Sequence, residues 1–478
     1  MRRLNPALVL PLALGACVMQ PAPKIATPTP DLPRAYFYRP EASTGTALAA
    51  LLPQGDPAWR TLSAAAIANA PNLAEAAARI DSARAGARRA GAERLPNVTA
   101  DGNVRQNRIN TAQFGQAGQQ GFIPAEQTSY GANVTASWDP DFVGRLAAQE
   151  RAALARIDAA TAQAQGVRLA LLSEIAASIT DWRVLDARAA VIEADAAAAR
   201  QLASLAKVRE DAGIAAGFDR VRAEATASAS ATRLAALGSE RARLIGRLVT
   251  LTAQDAATVR TALAAPAPAL APAAAPAGLP SELLANRPDV AAAAAELAAS
   301  DADLAAAARA RFPRITLSGV IGLLAFNPSD FFDGDSLVGT LTGAIAGPLL
   351  DFGRVGAGID AAAADKRAAF AAYRGAVFQA LGDAEAAYGV VAAADAEAQL
   401  AVTQRDQLTR AAAIAETRYR AGLASFLDVL EARRAADSSG EGAAAALGRA
   451  ARARIVLWQA LGGEAAGGAG TSSGAPLQ

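Results

Sequence analysis

The chain has one Cys, no His, and 45 Asp+Glu against 46 Lys+Arg in 478 residues, and these counts bound the chemistry it can carry. Without His, neither a Ser-His-Asp nor a Cys-His apparatus can be assembled, nor a zinc site of the usual Cys/His type. A single Cys cannot close an internal disulfide. The formal net charge of +1 argues against a large nucleic-acid footprint, which needs a strongly basic balance or stripe. No Gly-rich phosphate loop or clustered acid/base set accompanies the acids, so the sequence predicts no enzyme and no cofactor. Two places remain where residue type and spacing could act: Cys17, and the carboxylates Asp428 and Glu431, three residues apart and so on one face if that segment is helical.

Cys17 follows two Arg residues, a short apolar run and the small residues Gly15 and Ala16. This is the layout of a secretory signal over 1–16, too short to span a bilayer as a mature helix. Leu14-Gly15-Ala16-Cys17 resembles the bacterial lipobox, in which the Cys thiol is acylated and becomes the first mature residue; a plain signal peptide with an incidental Cys is the alternative. By the same resemblance, Val18 in place of Asp permits sorting to the outer membrane. The following segment is Pro-rich from Pro21 to Pro40 and predicts an extended tether within 17–57.

The elements that must position Asp428 and Glu431 are read from an internal duplication. Asn69-Ala70-Pro71-Asn72-Leu73 matches Asn286-Arg287-Pro288-Asp289-Val290, and the same offset carries Arg94-Leu95-Pro96 onto Arg311-Phe312-Pro313. Further on, Gly144-Arg145 matches Gly353-Arg354, Ala212-Gly213 matches Ala421-Gly422, and Asp219 matches Asp428. Each copy therefore holds the same elements: first repeat 58–263, second repeat 281–461. A helix begins at Pro71 or Pro288 and ends before Pro96 or Pro313. Alternation of period two then predicts β-hairpins over 97–138 and 314–347. A long helical hairpin follows, over 144–253 and 353–461, turning at Gly213 and Gly422. Residues 264–280, rich in Ala and Pro, read as a linker, and 462–478 as a flexible Gly/Ser tail. Ala is about 28% of the chain, which suits helices whose backbones approach closely.

Together these residues resemble the TolC/OprM family of outer-membrane efflux channels, in its NodT-like lipoprotein branch. The strongest run is Gly278-Leu279-Pro280-Ser281-Glu282-Leu283-Leu284-Ala285-Asn286-Arg287-Pro288-Asp289-Val290. It is supported by Trp138 through Arg145, Ala310 through Gly319, and Tyr419 through Leu430. The resemblance implies a mainly α chain with transmembrane β: four strands and long helical hairpins per chain. As a homotrimer it would close a 12-stranded β-barrel in outer-membrane lipid above a periplasmic α-barrel. It implies a passive export conduit for small molecules, lipid-anchored through Cys17, working with a periplasmic adaptor and an inner-membrane pump of the RND type. Thr99, Asp101, Asn103, Arg105, Asn133, Thr135, Thr340 and Thr342 would line the barrel lumen. Gly213, Ile214, Gly422 and Leu423 would form adaptor-docking tips, and Asp428 with Glu431 a periplasmic acidic gate. Crowding such carboxylates about a threefold axis favours cations and raises the affinity of each for a proton. Glu431 stands where family members often carry Asp. The competing expectation is a periplasmic coiled-coil structural or adaptor lipoprotein, which the long Ala-rich helices alone would allow.

Overall fold

The computed structural model describes residues 23–39, 47–110, 125–214, 216–277 and 286–463. In chain order the helices are α1 (Pro57–Asn69), α2 (Pro71–Ala92), α3 (Arg145–Asp211), α4 (Gly217–Thr252), α5 (Ala256–Leu263), α6 (Pro288–Arg309), α7 (Arg354–Arg420) and α8 (Phe426–Ala460). The strands are β1 (Asn97–Arg108), β2 (Glu126–Trp138), β3 (Arg314–Ala325) and β4 (Leu337–Ala346). The duplication is visible in lengths: α2 and α6 each have 22 residues, and α3 and α7 each have 67. At 1.5 Å per residue each of the latter is about 100 Å of helix. α2 and α6 end at Ala92 and Arg309, four residues before Pro96 and Pro313, and β2 starts at Glu126, within the hairpin expected over 97–138.

Two compact units emerge. The first comprises Asp81–Ala159 and Ala294–Ala372 together with residues 23–28. It contains one antiparallel sheet in the order β1-β2-β3-β4. Its foot is fixed where the Trp138 indole N–H donates to the Arg94 carbonyl at 2.9 Å. Asp141 accepts from the Leu146 and Ala147 N–H groups, and Asp351 from those of Gly353 and Val355. These carboxylates satisfy backbone donors left open at the starts of α3 and α7.

The second unit comprises the described residues of Thr29–Ile80, Ala160–Ala293 and Tyr373–Gln478. Its core joins Leu62, Ile175, Ile179, Leu248, Val259, Tyr388 and Leu457. Ala380, Ala384 and Ala387 of α7 and Ala446, Ala450 and Ala453 of α8 belong to the same core. Their spacing of three and four residues makes thin stripes, so the helices meet with little side chain between them. Gly448 of α8 is the extreme case: an added Cβ would collide with the Val184 side chain of α3.

The segment expected to be a bland linker is fastened instead. Arg183 donates to the carbonyls of Leu263 and Ala265, Arg454 to that of Ala273, and the Tyr388 hydroxyl to that of Pro276. The recurring prolines keep this segment out of a regular helix or sheet ladder, so side chains supply partners for its carbonyls. Gly462 and Gly463, the first residues of the expected tail, are buried, and 464–478 lie outside the described residues. Both arginines are anchored by carboxylates, Arg183 by Asp56 at 2.8 and 3.0 Å and Arg454 by Asp395 at 2.7 and 2.9 Å.

Arg454 is 5% exposed and Asp395 46%. Replacing Arg454 by Ala should cost about 2–4 kcal/mol, the lower part of the range for a broken buried pair because Asp395 keeps solvent. Arg405→Ala, which breaks an exposed pair with Asp406, should cost under about 1 kcal/mol. Denaturant unfolding of both variants checks the contrast.

Candidate functional site

The sheet of the first unit has two chemically different faces, fixed by its register. Thr99 pairs with Thr135, Asp101 with Asn133, Asn103 with Gly131 and Arg105 with Ser129. Across β2 and β3, Thr135 pairs with Val320 and Ser137 with Ser318; across β3 and β4, Val320 pairs with Thr340 and Ser318 with Thr342. Directly paired residues share a face of an antiparallel sheet. The eight residues expected to line a lumen therefore all lie on one face, where the Asn133 amide also donates to Asp101 at 3.3 Å. The other face carries Val98, Val104, Val134, Leu317, Ile321, Leu337, Leu341 and Ile345, all exposed in the chain, Leu341 by 87%. Burying a side chain of this kind is worth roughly 1.5–3 kcal/mol, so the face as a whole strongly favours an apolar surrounding. No helix among the described residues is long and apolar enough to cross a membrane.

The two outer strands, β1 and β4, each present an edge unpaired among the described residues. Their directions alternate, so β4 of one copy would be antiparallel to β1 of a neighbouring copy.

In the second unit, the tips of the helical hairpins are built alike. Gly213 and Gly422 have φ of +72° and +76°, the left-handed conformation that lets a helix end and reverse. The Ile214 N–H donates to the Arg209 carbonyl at 3.0 Å and the Leu423 N–H to the Arg418 carbonyl at 2.8 Å. Ile214 and Leu423 are about equally exposed, at 70% and 69%. Phe218 and Val221, on the first turn and a half of α4, are exposed as well and were not singled out from the sequence, although their spacing of three was its signal. The tips are joined below by Leu202, Ala223, Tyr419, Phe426, Val429 and Leu430, with the Arg209 guanidinium 4.7 Å from the centre of the Tyr419 ring.

Asp428 and Glu431 are both exposed at the start of α8. Asp428 forms a capping box with Ser425: its carboxylate accepts from the Ser425 N–H at 2.8 Å, and its own N–H donates to the Ser425 hydroxyl. That backbone bond, then the Ser425 hydroxyl and the charge of Arg418, hold the Asp428 carboxyl below the ordinary carboxylate range. These bonds run against the proton uptake expected of Asp428 in a crowded ring. Arg433 is bonded to Glu416 of α7. Cys17 lies outside the described residues, as does the run Gly278–Ala285.

A buried cluster between α3, α4 and α8 was not anticipated. Asp195 is 3% exposed and accepts from Ser230 and, at 2.7 Å, from Arg233. Arg233 also donates to Glu441 at 2.6 Å. Asp437 faces Asp195, and its carboxyl is pushed up to about 8 by burial, by a shared hydrogen bond with Asp195 and by that neighbour's charge, with Arg433 and Arg233 pulling the other way. The partners come from distant parts of the sequence, so no local spacing marks them. Among the described residues no group of three or more His, Cys, Asp and Glu could hold a metal ion.

One amphipathic four-stranded sheet made of two β-hairpins, in a chain that also carries two long helical hairpins, defines a class of membrane channel. The profile of the Outer membrane efflux protein family matches residues 62–254 and 279–463, and the chain belongs to that family. Pyoverdine export outer membrane protein OpmQ of Pseudomonas putida is 30% identical over 469 residues, covering 95% of this chain and 96% of that protein. Nodulation protein T of Rhizobium leguminosarum bv. trifolii is 28% identical over 94% of this chain and 95% of its own. The solved outer-membrane channel OprN superposes with a TM-score of 0.81 at 27% identity, covering 93% of this chain and 99% of that one. The chain is accordingly an outer-membrane efflux channel, in a family of channels rather than enzymes.

The Asp437 shift carries a sign. In the unfolded chain this carboxyl ionises in the ordinary range, whereas in the fold it ionises near 8. Its contribution to stability is full below the ordinary range and is lost as pH rises toward about 8. Asp437→Asn should leave the thermal midpoint almost unchanged at acidic pH and raise it relative to the parent at alkaline pH. Parallel pH profiles for the two proteins would exclude the effect.

Proposed function

We propose that three copies of this chain form the outer-membrane conduit of a tripartite efflux system, through which small molecules leave the periplasm passively. The observation that carries the proposal is the sheet with one polar face, one apolar face and two free edges. A four-stranded sheet with open edges leaves backbone groups without partners in hydrocarbon, and closure among copies removes the deficit. The polar face bearing Thr99, Asp101, Asn103, Arg105, Asn133, Thr135, Thr340 and Thr342 then lines the water-filled passage, and the apolar face meets lipid.

The helical hairpins extend the passage into the periplasm. Gly213, Ile214, Gly422 and Leu423 form the tips, and the exposure of Ile214 and Leu423 supports their role as the surface that receives an adaptor. The adaptor couples the conduit to an inner-membrane pump, of the RND type. Acylation of Cys17 anchors the mature chain, and Tyr36, in the described part of the segment behind it, is buried beside Tyr388. The relatives' names mention pyoverdine export and nodulation; the substrate of this chain follows from its pump rather than from the wall residues.

Asp428 and Glu431 act as the acidic constriction near the tips. Two exposed carboxylates one helical turn apart, repeated about a threefold axis, give a cation-favouring ring. Because Asp428 also caps α8, its removal has a structural cost of about 1 kcal/mol when the acceptor is lost, so the informative variant keeps an acceptor there. Asp428→Asn combined with Glu431→Gln should increase single-channel conductance in planar bilayers and weaken the preference for cations. Conductance and selectivity equal to those of the parent would count against the gate while leaving the conduit intact.

A further inference from the structure

The connection between β3 and β4 is a built structure. The Asp330 carboxylate accepts from the Asn327 amide at 2.9 Å and from the Ser329 hydroxyl at 2.7 Å, and the Ser336 hydroxyl donates to the Asp330 carbonyl at 2.6 Å. Two short 3₁₀ turns, Pro328–Asp330 and Gly334–Ser336, frame Phe331 and Phe332, whose rings meet edge to face at 5.1 Å. These bonds hold both rings out from the loop, and Phe332 is 87% exposed.

The rings do not simply point into solvent. They border a groove of about 420 Å³ whose floor includes Gly102, Val104, Tyr130 and Ala132. In register, Gly102 faces Ala132 and Val104 faces Tyr130, and all four stand on the apolar face of the sheet. The small pair Gly102 and Ala132 leaves a depression beside the larger Val104 and Tyr130. The loop of the second hairpin thus reaches over the strands of the first on the side opposite the polar wall. Among the described residues, no Lys, Arg, Asp or Glu lines this groove. Its volume is within the range of small-molecule sites, roughly 300–1,000 Å³.

We infer that this groove binds a hydrocarbon chain of a membrane lipid, with Phe331 and Phe332 clasping it at the membrane interface. The inference rests on the outer-membrane barrel reading, since the groove is continuous with the apolar face that this reading turns toward lipid. The loop joins the ends of β3 and β4 remote from α6 and α7, so with those helices periplasmic it lies at the outer leaflet. A groove without charged lining matches a hydrocarbon chain in polarity, and the exposed Phe332 ring finds the interfacial setting that aromatic side chains favour.

The test uses the full chain in phosphatidylcholine vesicles whose acyl chains carry bromine, a contact quencher of indole fluorescence. Phe332→Trp reports on the groove and Leu341→Trp, on the apolar sheet face, reports on the wall; the emission of the parent's own Trp residues is subtracted. The expected result is quenching of both reporters by brominated lipid, Phe332→Trp most by bromine near the headgroup end, with protection of both from iodide present on both sides of the vesicle. Quenching of Phe332→Trp by iodide and not by brominated lipid, while Leu341→Trp responds to lipid, would overturn the groove and leave the barrel standing. Shielding of Phe332→Trp from both quenchers would overturn it in favour of cover by a neighbouring copy. Failure of Leu341→Trp to respond to brominated lipid would overturn the barrel reading itself.

Discussion

The backbone of a strand in hydrocarbon must find every hydrogen-bond partner within protein, and this constraint organises the molecule. Four strands satisfy it internally through three antiparallel ladders and leave the outer edges of β1 and β4 open. The side chains divide at right angles to the ladders, with most of the exposed aliphatic groups on one face and Thr, Asn, Asp and Arg, beside Val320 and Val338, on the other. An unclosed sheet of this kind has no good environment in either water or lipid. Closure among copies supplies one, with the apolar face outside and the polar face within.

The helical part solves a different problem. Its 67-residue helices lack a wide apolar stripe, and their cohesion comes from thin Ala faces, from Gly448 against Val184, and from arginines that bind several groups at once. Arg183 and Arg454 each join a carboxylate on one element to the carbonyls of the Ala/Pro segment, turning a stretch without regular structure into part of the second unit. Beside this framework the Asp195–Asp437 pair is costly, because two carboxyl groups share a confined space and Asp437 is pushed toward its protonated form. The tips carry the same Gly-based reversal twice, so the duplication has preserved backbone geometry where side chains have diverged, as Ile214 against Leu423 illustrates.

Much of this was legible in the sequence because it is local or repeated. The period of two in β1 to β4 places Thr99, Asn133 and Thr340 on one face before any coordinates are known. Proline at the starts of α2 and α6, and glycine at the reversals, mark boundaries through fixed backbone preferences. What escaped reading depends on residues far apart in the chain. Nothing near Arg454 announces that it will bind the Ala273 carbonyl, and nothing near Asp437 names Asp195 as its neighbour. Asp428 shows a third case: the motif suggests a gate, and the sequence Ser425-Phe426-Leu427-Asp428 also spells a helix cap, a second role that the structure brings forward.

The central claim is that the polar face of the sheet bounds an aqueous passage and the opposite face meets lipid. The direct measurement is single-Cys substitution at successive positions of β4 from Val338 to Ile345, in a chain whose only native Cys is Cys17, followed by a water-soluble, membrane-impermeant thiol reagent with current recorded in planar bilayers. The account predicts a period of two: Cys at 338, 340, 342 and 344 reacts and reduces the current, while Cys at 339, 341, 343 and 345 stays unreactive. Uniform reactivity along the strand, or modification at the polar positions without any change in current, would contradict it.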